Sequence, residues 1–191
     1  MTNTTHTTDT AATFLNGINS EQVRKAQEQM RVHPDGEVSR PTYAAKVLWK
    51  SGYRTEAQLS GGLALQGDEP VMYGGQGSGA TPQDLLLAAV GHCLTATYVG
   101  GLSAAGIRVD HLEVLVSGRV NFRAAYGVER GQPGFEKIEV KVNIQTDAPQ
   151  ERVDGILKKL LPTAPIPDTI LRPVPLTVDV VYQSDLAVTA V

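Results

Sequence analysis

The feature that most constrains the fold is a long apolar stretch in the middle of the chain. Residues 85–107 form a run of 23 residues without a single Asp, Glu, Lys or Arg, which is long enough to span a bilayer as a helix. The run also contains eight Gly, Thr, Ser or His residues, and no aromatic belt or basic flank marks its N-terminal end. We therefore predict a helix that is buried on most of its faces inside a soluble assembly, and not a membrane span.

The start of this central helix carries the clearest local signal in the sequence. Thr81 is suited to the N-cap, Pro82 to the first helical position and Asp84 to the positively polarised first turn. The helix is expected to run toward Gly100 and Gly101, where the absence of side chains favours a bend or a break, and to finish by Gly106.

The remaining pattern predicts an α+β fold. Helices are expected over residues 20–32, with Ser20 as the cap, and over residues 147–161, with Asp147 as the cap. Strands are expected where β-branched residues cluster or alternate with polar ones, at residues 42–50, 53–59, 107–122, 135–146 and 174–182. Strand hairpins with only two main helices indicate α+β and not alternating βαβ units.

Turn residues predict the connections between these elements. Ser51-Gly52 suits a tight hairpin turn between the first two strands, and the Gly-rich residues 60–79 are expected to form a loop. Five prolines fall between Pro162 and Pro175, so this segment is expected to be a stiff loop.

The domain organisation and the charge limit the function. We expect a mobile N-terminal tail at residues 1–18 and a single domain at residues 19–191. The first 13 residues contain seven Thr and no basic or apolar run, so they resemble no export signal and cannot offset the entropy of ordering. The net charge of −3, from 17 Lys and Arg against 20 Asp and Glu, provides no electrostatic footprint for nucleic acid.

Cys93 is the one cysteine, so no internal disulfide framework is possible, and the four scattered His show no metal-binding spacing. We therefore expect no metal, and a lone thiol fits the reducing cytoplasm.

Cys93 shares a face of the central helix with Leu86 and Ala89, and two interpretations stay open: a small core residue or a reactive thiolate. Because burial raises the pKa of a thiol, the second interpretation needs a cation from elsewhere in the fold. The candidate cations are Arg54, Arg108, Arg119, Arg123 and His92.

Two further patterns have less specific interpretations. The run of glycines at residues 74–79 precedes a helix, as phosphate-binding loops do, but it has neither the Gly-Lys-Ser/Thr ending nor the G-x-G-x-x-G spacing. A loop that leads into a capped helix explains it better. The pair Asp68 and Glu69 is expected to be solvated.

Several of these motifs together resemble the OsmC/Ohr family, the osmotically inducible and organic hydroperoxide resistance proteins. Residues 74–94, GGQGSGATPQDLLLAAVGHCL, resemble its signature of a Gly-Gly loop, a Pro at a helix start, an apolar stretch and a Cys. Residues 51–54, SGYR, resemble the early hairpin that carries the family's Arg, and residues 164–170, APIPDTI, resemble its late Cys-Pro segment. Residues 16–19, NGIN, before a helix resemble a longer-tailed OsmC-like branch.

The resemblance implies an OsmC-like α+β fold: an antiparallel sheet with two main helices, in an intertwined homodimer that buries the central helix between subunits. It implies that Cys93 attacks the O–O bond of a small organic hydroperoxide and becomes a sulfenic acid. Arg54 is then expected to stabilise the thiolate and the departing alkoxide, while Gln83, at the position of the family's Glu, orients Arg54. No cofactor is implied.

The chain departs from the family pattern where the second cysteine is expected, because Ala164 stands there. An internal two-cysteine cycle is therefore impossible. We expect a cytoplasmic, cysteine-dependent hydroperoxide reductase (a peroxidase) that uses an external thiol and binds neither nucleic acid nor a membrane. The alternatives are a thiol sensor that binds an apolar electrophile, a non-peroxidase small-ligand-binding or stress-response protein, and a purely structural dimer.

Overall fold

The computed structural model describes residues 14–182. Over this range the chain forms seven strands and five α-helices, with 3-10 turns at Val71–Tyr73 and Leu161–Thr163. The strands are β1 (Phe14–Leu15), β2 (Ile18–Asn19), β3 (Ala45–Ser51), β4 (Arg54–Leu59), β5 (Ala64–Gly67), β6 (His111–Val120) and β7 (Phe135–Gln145). The helices are α1 (Ser20–Val32), α2 (Pro82–Ala104), α3 (Phe122–Ala125), α4 (Gln150–Leu160) and α5 (Pro165–Leu171).

The strands form three antiparallel sheets, β1-β2, β3-β4-β5 and β6-β7. The mixture of antiparallel sheets and helices confirms the predicted α+β class. In the three-stranded sheet Ala57 pairs with Val47 on one side and with Leu65 on the other. The predicted hairpin between β3 and β4 is present, but Ser51 pairs with Arg54. The turn residues are therefore Gly52 and Tyr53, because Gly52 supplies the positive φ of 56° that the tight turn needs.

The predicted start of α2 is confirmed in detail. Thr81 and Asp84 form a reciprocal capping box, and Pro82 occupies the first helical position. The helix continues through Gly100 and Gly101 to Ala104, so the expected break is wrong and the predicted end by Gly106 is confirmed. Glycine costs a helix only about 1 kcal/mol relative to alanine, which tertiary packing overrides.

The core lies along one face of α2. Its buried residues follow one another at intervals of four, which places them in one row on the helix. They are Val90, Leu94, Tyr98 and Leu102. This row faces β6, α4 and α5, and two apolar clusters form there, one around Leu94 and Ala164 and the other around Leu102 and Val153. Among the described residues α2 is the one helix long and apolar enough to cross a membrane, and its packing makes it the core helix of this fold.

The N-terminal tail differs from the expectation at its inner end. Residues 14–18, assigned to the tail, lie in the β1-β2 hairpin. Asn16 holds this hairpin to the end of α2, because its side chain donates to Ser103 Oγ (2.8 Å) and to the Ile107 carbonyl (2.9 Å) and accepts from Val109 N (2.9 Å). The cap of α1 is Asn19, whose carboxamide oxygen accepts from Gln22 N at 3.0 Å, and not Ser20. Residues 1–13 lie outside the described residues.

The C-terminal third contains three differences from the predicted elements. Helix α4 begins at Gln150 after Pro149, so Asp147 is not its cap. The segment expected to be a stiff loop contains α5. Pro165 and Pro167 lie in the first turn of this helix, where backbone N–H groups have no acceptor inside the helix, so their lack of an N–H breaks no helical hydrogen bond. The predicted strand at 174–182 has no partner among the described strands, and its apolar side chains are exposed.

Candidate functional site

Cys93 lies midway along α2, half-buried, on the side that faces α5. Its sulfur accepts the backbone N–H of Ile166, with an N–S distance of 3.5 Å. The side chain also packs against a buried apolar cluster, whose members are Val90, Leu94, Tyr98 and Ala164. The surroundings of the thiol are therefore apolar, with one amide donor directed at the sulfur.

The local sequence of α5 explains this donor. A helix leaves its first N–H groups without acceptors inside the helix, and Pro165 and Pro167 have no N–H to offer. Ile166, between them, keeps its N–H, and the acceptor it finds is Cys93 Sγ. Ala164, the residue before the helix, is fully buried (0% exposed) beside this group.

Arg54 lies at the start of β4 and is exposed. Its Nη2 donates to Ser51 Oγ at 2.7 Å across the hairpin turn. Because side chains alternate along a strand, Arg54 shares a face with Glu56, which pairs with Lys50 at 3.5 Å. Within residues 14–182 Arg54 makes no hydrogen bond or ion pair with Cys93, so one chain by itself does not bring these two predicted residues together.

Gln83 lies in the first turn of α2, ten residues before Cys93, which corresponds to about 15 Å along the helix axis. Its Oε1 is buried and accepts no hydrogen bond from the described residues. The side chain lines a cavity of about 210 Å³ whose walls are mainly apolar. The other residues of this cavity are Pro82, Leu86, Val120, Pro133, Gly134 and Phe135. A buried carbonyl without a donor is costly, so this end of α2 lacks a polar partner in the single chain.

The other candidate cations have partners or positions away from the thiol. Arg108 pairs with Asp110 at 2.8 Å, and Arg123 pairs with Glu129 at 2.7 Å. Arg119 is exposed on β6, opposite Lys137 in the register of the sheet. His92 lines a groove between α2 and β6 with Gly91, Thr95, Val114 and others. The part of the chain from 14 to 182 contains no group of three His, Cys, Asp or Glu side chains placed to hold a metal ion.

Asp68 is buried, so the expectation that its side chain is solvated is wrong. It is 2% exposed and accepts from Glu69 N (2.8 Å), Gln76 N (3.1 Å), Ser78 N (3.0 Å) and Ser78 Oγ (2.8 Å). These hydrogen bonds, with the Ser78 N–H first, lower the pKa of Asp68 from 3.8 to about 2. The signal available in the sequence was an acid a few residues before the glycines at 74–79, in a connection whose backbone N–H groups turn inward.

The role of Asp68 also explains the Gly-rich loop before α2. Two of the loop N–H groups that a phosphate would need, those of Gln76 and Ser78, already donate to this carboxylate. Gly75 packs so closely that a Cβ there would overlap the backbone of Glu69. The loop is therefore an internally satisfied connection into α2, as the sequence indicated, and not a phosphate cradle.

Comparison with known proteins gives one family. The sequence matches the family model described as OsmC-like protein over residues 75–179, which is more than half of the chain. The matched range includes Gln83, Cys93 and Ala164, while Arg54 lies before it. No curated protein matches the sequence significantly.

Solved structures share the fold at low sequence identity. An OsmC-like protein from Mycoplasma pneumoniae has a TM-score of 0.60 and 16% identity, covering 69% of this chain and 89% of that one. An organic hydroperoxide resistance protein OsmC from Legionella pneumophila has a TM-score of 0.52 and 18% identity, covering 69% and 90%. A putative organic hydroperoxide resistance protein from Vibrio cholerae O1, with captopril bound in one of its active sites, has a TM-score of 0.51 and 16% identity, covering 67% and 84%. At these identities the likeness concerns the fold, and it agrees with the predicted OsmC-like architecture.

Proposed function

The chain belongs to the OsmC-like protein family, and we propose that it reduces small organic hydroperoxides, with Cys93 as the nucleophile and an external thiol as the reductant. The observation that carries the proposal is the contact between Cys93 Sγ and Ile166 N at 3.5 Å. It joins the helix motif that ends in Cys93 to the late segment in which the resemblance places the second cysteine. The names of the Legionella and Vibrio neighbours support the same substrate class.

The proposed reaction uses the thiolate and an apolar pocket. The Cys93 thiolate attacks the outer oxygen of the hydroperoxide, so an S–O bond forms while the O–O bond breaks. Sulfur is oxidised to a sulfenic acid, and the departing alkoxide takes a proton and leaves as an alcohol. The apolar side chains around Cys93, including Val90 and Leu94, suit the alkyl group of such a substrate.

We propose that Arg54 and Gln83 reach this thiol from a second copy of the chain. Tyr53, next to Arg54, lines a cavity with Pro82 and Leu85 at the start of α2, so Arg54 and Gln83 belong to the same end of the molecule. Cys93 lies ten residues further along α2. Two α2 helices that pack antiparallel, and cross midway between residues 83 and 93, would place the start of one beside the thiol of the other.

Charge supports this arrangement. An Arg guanidinium stabilises a thiolate and a developing alkoxide through charge-assisted hydrogen bonds. Within residues 14–182 no cationic side chain makes a hydrogen bond with Cys93. Gln83 Oε1 is buried without a donor, and a guanidinium N–H would satisfy it. The expected assembly is a homodimer, and we assign it to the cytoplasm because a single catalytic thiol needs a reducing compartment.

The test is hydroperoxide consumption in the presence of a dithiol such as dithiothreitol or dihydrolipoamide. We expect the wild-type protein to consume an organic hydroperoxide and the Cys93→Ser variant to show only the background rate. Ala96→Ser, a change of similar size on an exposed turn of the same helix, is the matched control and should keep full activity. Equal rates for wild type and Cys93→Ser, with both proteins folded by circular dichroism, would refute the proposed reaction.

The absence of a cation beside Cys93 within residues 14–182 favours one alternative, a non-enzymatic protein that binds a small apolar ligand. This alternative predicts that Cys93→Ala still binds such a ligand, because the pocket is apolar and the thiol contributes little. Fluorescence titration with an apolar probe, together with the rate assay, separates the two functions. Binding without hydroperoxide consumption in the wild type would establish the alternative.

A further inference from the structure

The neighbour of the Cys93 sulfur is a backbone nitrogen and not a second thiol. The Ile166 N–H donates to Sγ at an N–S distance of 3.5 Å, which is close to van der Waals contact. This nitrogen lies in the first turn of α5, where the helix provides no acceptor for it. It is therefore an amide nitrogen whose hydrogen can be lost without breaking the hydrogen bonds of a helix.

The sequence around this nitrogen makes the arrangement specific. Pro165 and Pro167 on either side carry no N–H and fix their own φ angles, so Ile166 is the one residue of this tripeptide with an amide hydrogen. Ala164, two residues earlier, supplies no thiol, and the chain has no other cysteine. A sulfenic acid formed on Cys93 would thus meet an amide nitrogen in place of a resolving thiol.

We propose that the Ile166 backbone nitrogen is the resolving group of this protein and closes a cyclic sulfenamide with Cys93. The inference rests on the proposed function, because that reaction supplies the oxidant, an organic hydroperoxide. In the first step the hydroperoxide is reduced to an alcohol and Cys93 becomes a sulfenic acid. In the second step the Ile166 nitrogen attacks the sulfur, an S–N bond forms, the S–O bond breaks, and the hydroxyl leaves with the amide hydrogen as water.

The second step transfers no further electrons, so the sulfur stays at the oxidation level that a thiol can reverse. An external thiol attacks the sulfur, breaks the S–N bond and returns the hydrogen to the Ile166 nitrogen. A second thiol then releases Cys93 as a free thiol and leaves as the disulfide of the reductant. The cyclic form protects Cys93 from the irreversible sulfinic and sulfonic states when the reductant is scarce.

Intact mass spectrometry of the full-length protein tests this inference, because the chain has one cysteine. After one equivalent of organic hydroperoxide without thiol, we expect a monomer-mass species about 2 Da lighter than the reduced chain. An internal disulfide would have the same mass, but this chain cannot form one. The species should resist dimedone, which labels sulfenic acids, and should return to the starting mass with dithiothreitol.

Peptide mapping locates the new bond. Trypsin leaves Cys93 in the peptide 55–108 and Ile166 in the peptide 160–191, and the oxidised protein should give these two joined, with fragmentation placing the link at residue 166. Ile166→Val keeps the amide hydrogen and should still form the link to residue 166, whereas Ile166→Pro removes it and should accumulate the dimedone-reactive sulfenic acid. Ala164→Cys is the positive control for a disulfide, and its link should map to residue 164.

The outcomes separate the two proposals. A species about 16 or about 32 Da heavier that persists in the wild type, or a disulfide between two copies through Cys93, would overturn the sulfenamide while leaving the peroxidase reaction in place. A thiol that stays unoxidised and fully open to alkylation would overturn the proposed function and the sulfenamide with it. If Ile166→Pro does not fold, the peptide map of the wild-type protein decides alone.

Discussion

Two regions of this molecule differ in how many apolar side chains a single chain buries in them. The region from α2 to α5 holds every buried apolar side chain of residues 14–182, from Val90 to Pro167. The β3-β4-β5 sheet has none, and the apolar residues on one of its faces, Val47 (61% exposed) and Leu65 (41% exposed), lie open beside a cavity of about 330 Å³. The first region contains a complete core within a single chain, although one face of α2 stays exposed, and the other region has an apolar face that lacks a cover.

The predicted site residues divide along the same line. Cys93 and its neighbours Ala164 and Ile166 belong to the complete region, while Arg54 belongs to the open sheet. The family match, which begins at residue 75, covers the first region and leaves the sheet outside. The comparison teaches that the thiol pocket is a property of one folded chain, whereas the positive charge proposed for it lies on the sheet and requires a second copy to reach the thiol.

The largest expected effect tests the difference in packing. Leu102→Ala should destabilise the protein by about 3 kcal/mol, because it removes buried methyl groups and leaves a cavity between α2 and α4. Thermal denaturation should show a Tm lower by roughly 10 °C, and the shift should not depend on protein concentration. Val47→Ala should instead produce a shift that shrinks on dilution, because the second copy that we propose to cover this side chain then dissociates from both proteins.

Two results would contradict the expected difference between Leu102→Ala and Val47→Ala. A cost for Val47→Ala that equals that of Leu102→Ala at every concentration would mean that the sheet is packed within one chain. No effect of Val47→Ala at any concentration would mean that nothing covers this face, and the second copy would then contact the chain through α2 without the sheet.

How much the sequence predicts depends on whether the residues that cause a feature are neighbours in the chain. The capping box of α2 was predictable because Thr81, Pro82 and Asp84 are neighbours in the chain and act on one another directly. The strands β6 and β7 were predictable because apolar alternation has a period of two. The first turn of α5 was missed because five prolines indicate a loop, although Pro165 and Pro167 occupy helix positions that need no N–H.

The residues that sequence analysis misplaced depend on distant partners. Asp68 is buried because N–H groups up to ten residues away converge on it, and no local rule specifies that convergence. The unpaired segment 174–182 alternates as a strand does, but a strand also requires a neighbour. Whether Arg54 reaches a thiol is decided by the assembly, so neither the pattern nor a single chain could establish it.

The next effect in size tests whether the open sheet contributes to the site. Arg54→Met should lower kcat/KM for an organic hydroperoxide by about 10- to 100-fold, because one charge-assisted hydrogen bond contributes about 1.5–3 kcal/mol. The Tm should change little, since Arg54 is exposed in the chain. Arg40→Met, at another exposed arginine, whose side chain pairs with Asp35, is the matched control. Equal rates for the two variants would remove Arg54 from the mechanism.

Asp68 connects the two regions, because the loop it holds runs from β5 to α2. Its pKa is lowered from 3.8 to about 2, so the carboxylate stabilises the folded state above about pH 4 and loses this effect as the pH falls toward 2. Asp68→Asn should lower the Tm at pH 7 by about 5 °C, and the difference from wild type should shrink as the pH falls from about 4 through 2. Asp35→Asn, an exposed acid, should show no such trend, and a matching result for Asp68→Asn would contradict the role of this carboxylate.

The smallest effect tests the boundary between the packed and open faces within α2 itself. A Cβ on Gly101 would overlap the side chain of Leu160, whereas a Cβ on Gly100 would meet nothing within 4 Å. Alanine lowers the conformational freedom of the unfolded chain and favours the helix. Gly100→Ala should therefore stabilise the protein by up to about 1 kcal/mol, while Gly101→Ala should destabilise it by about the same amount because Leu160 must shift.

Chemical denaturation measures both, and since the two variants carry the same substitution at adjacent positions of one helix, the sign of their difference reports packing alone. Destabilisation by Gly100→Ala would show that the face open in one chain is occupied in solution, and this would extend the covered surface from the sheet to the end of α2.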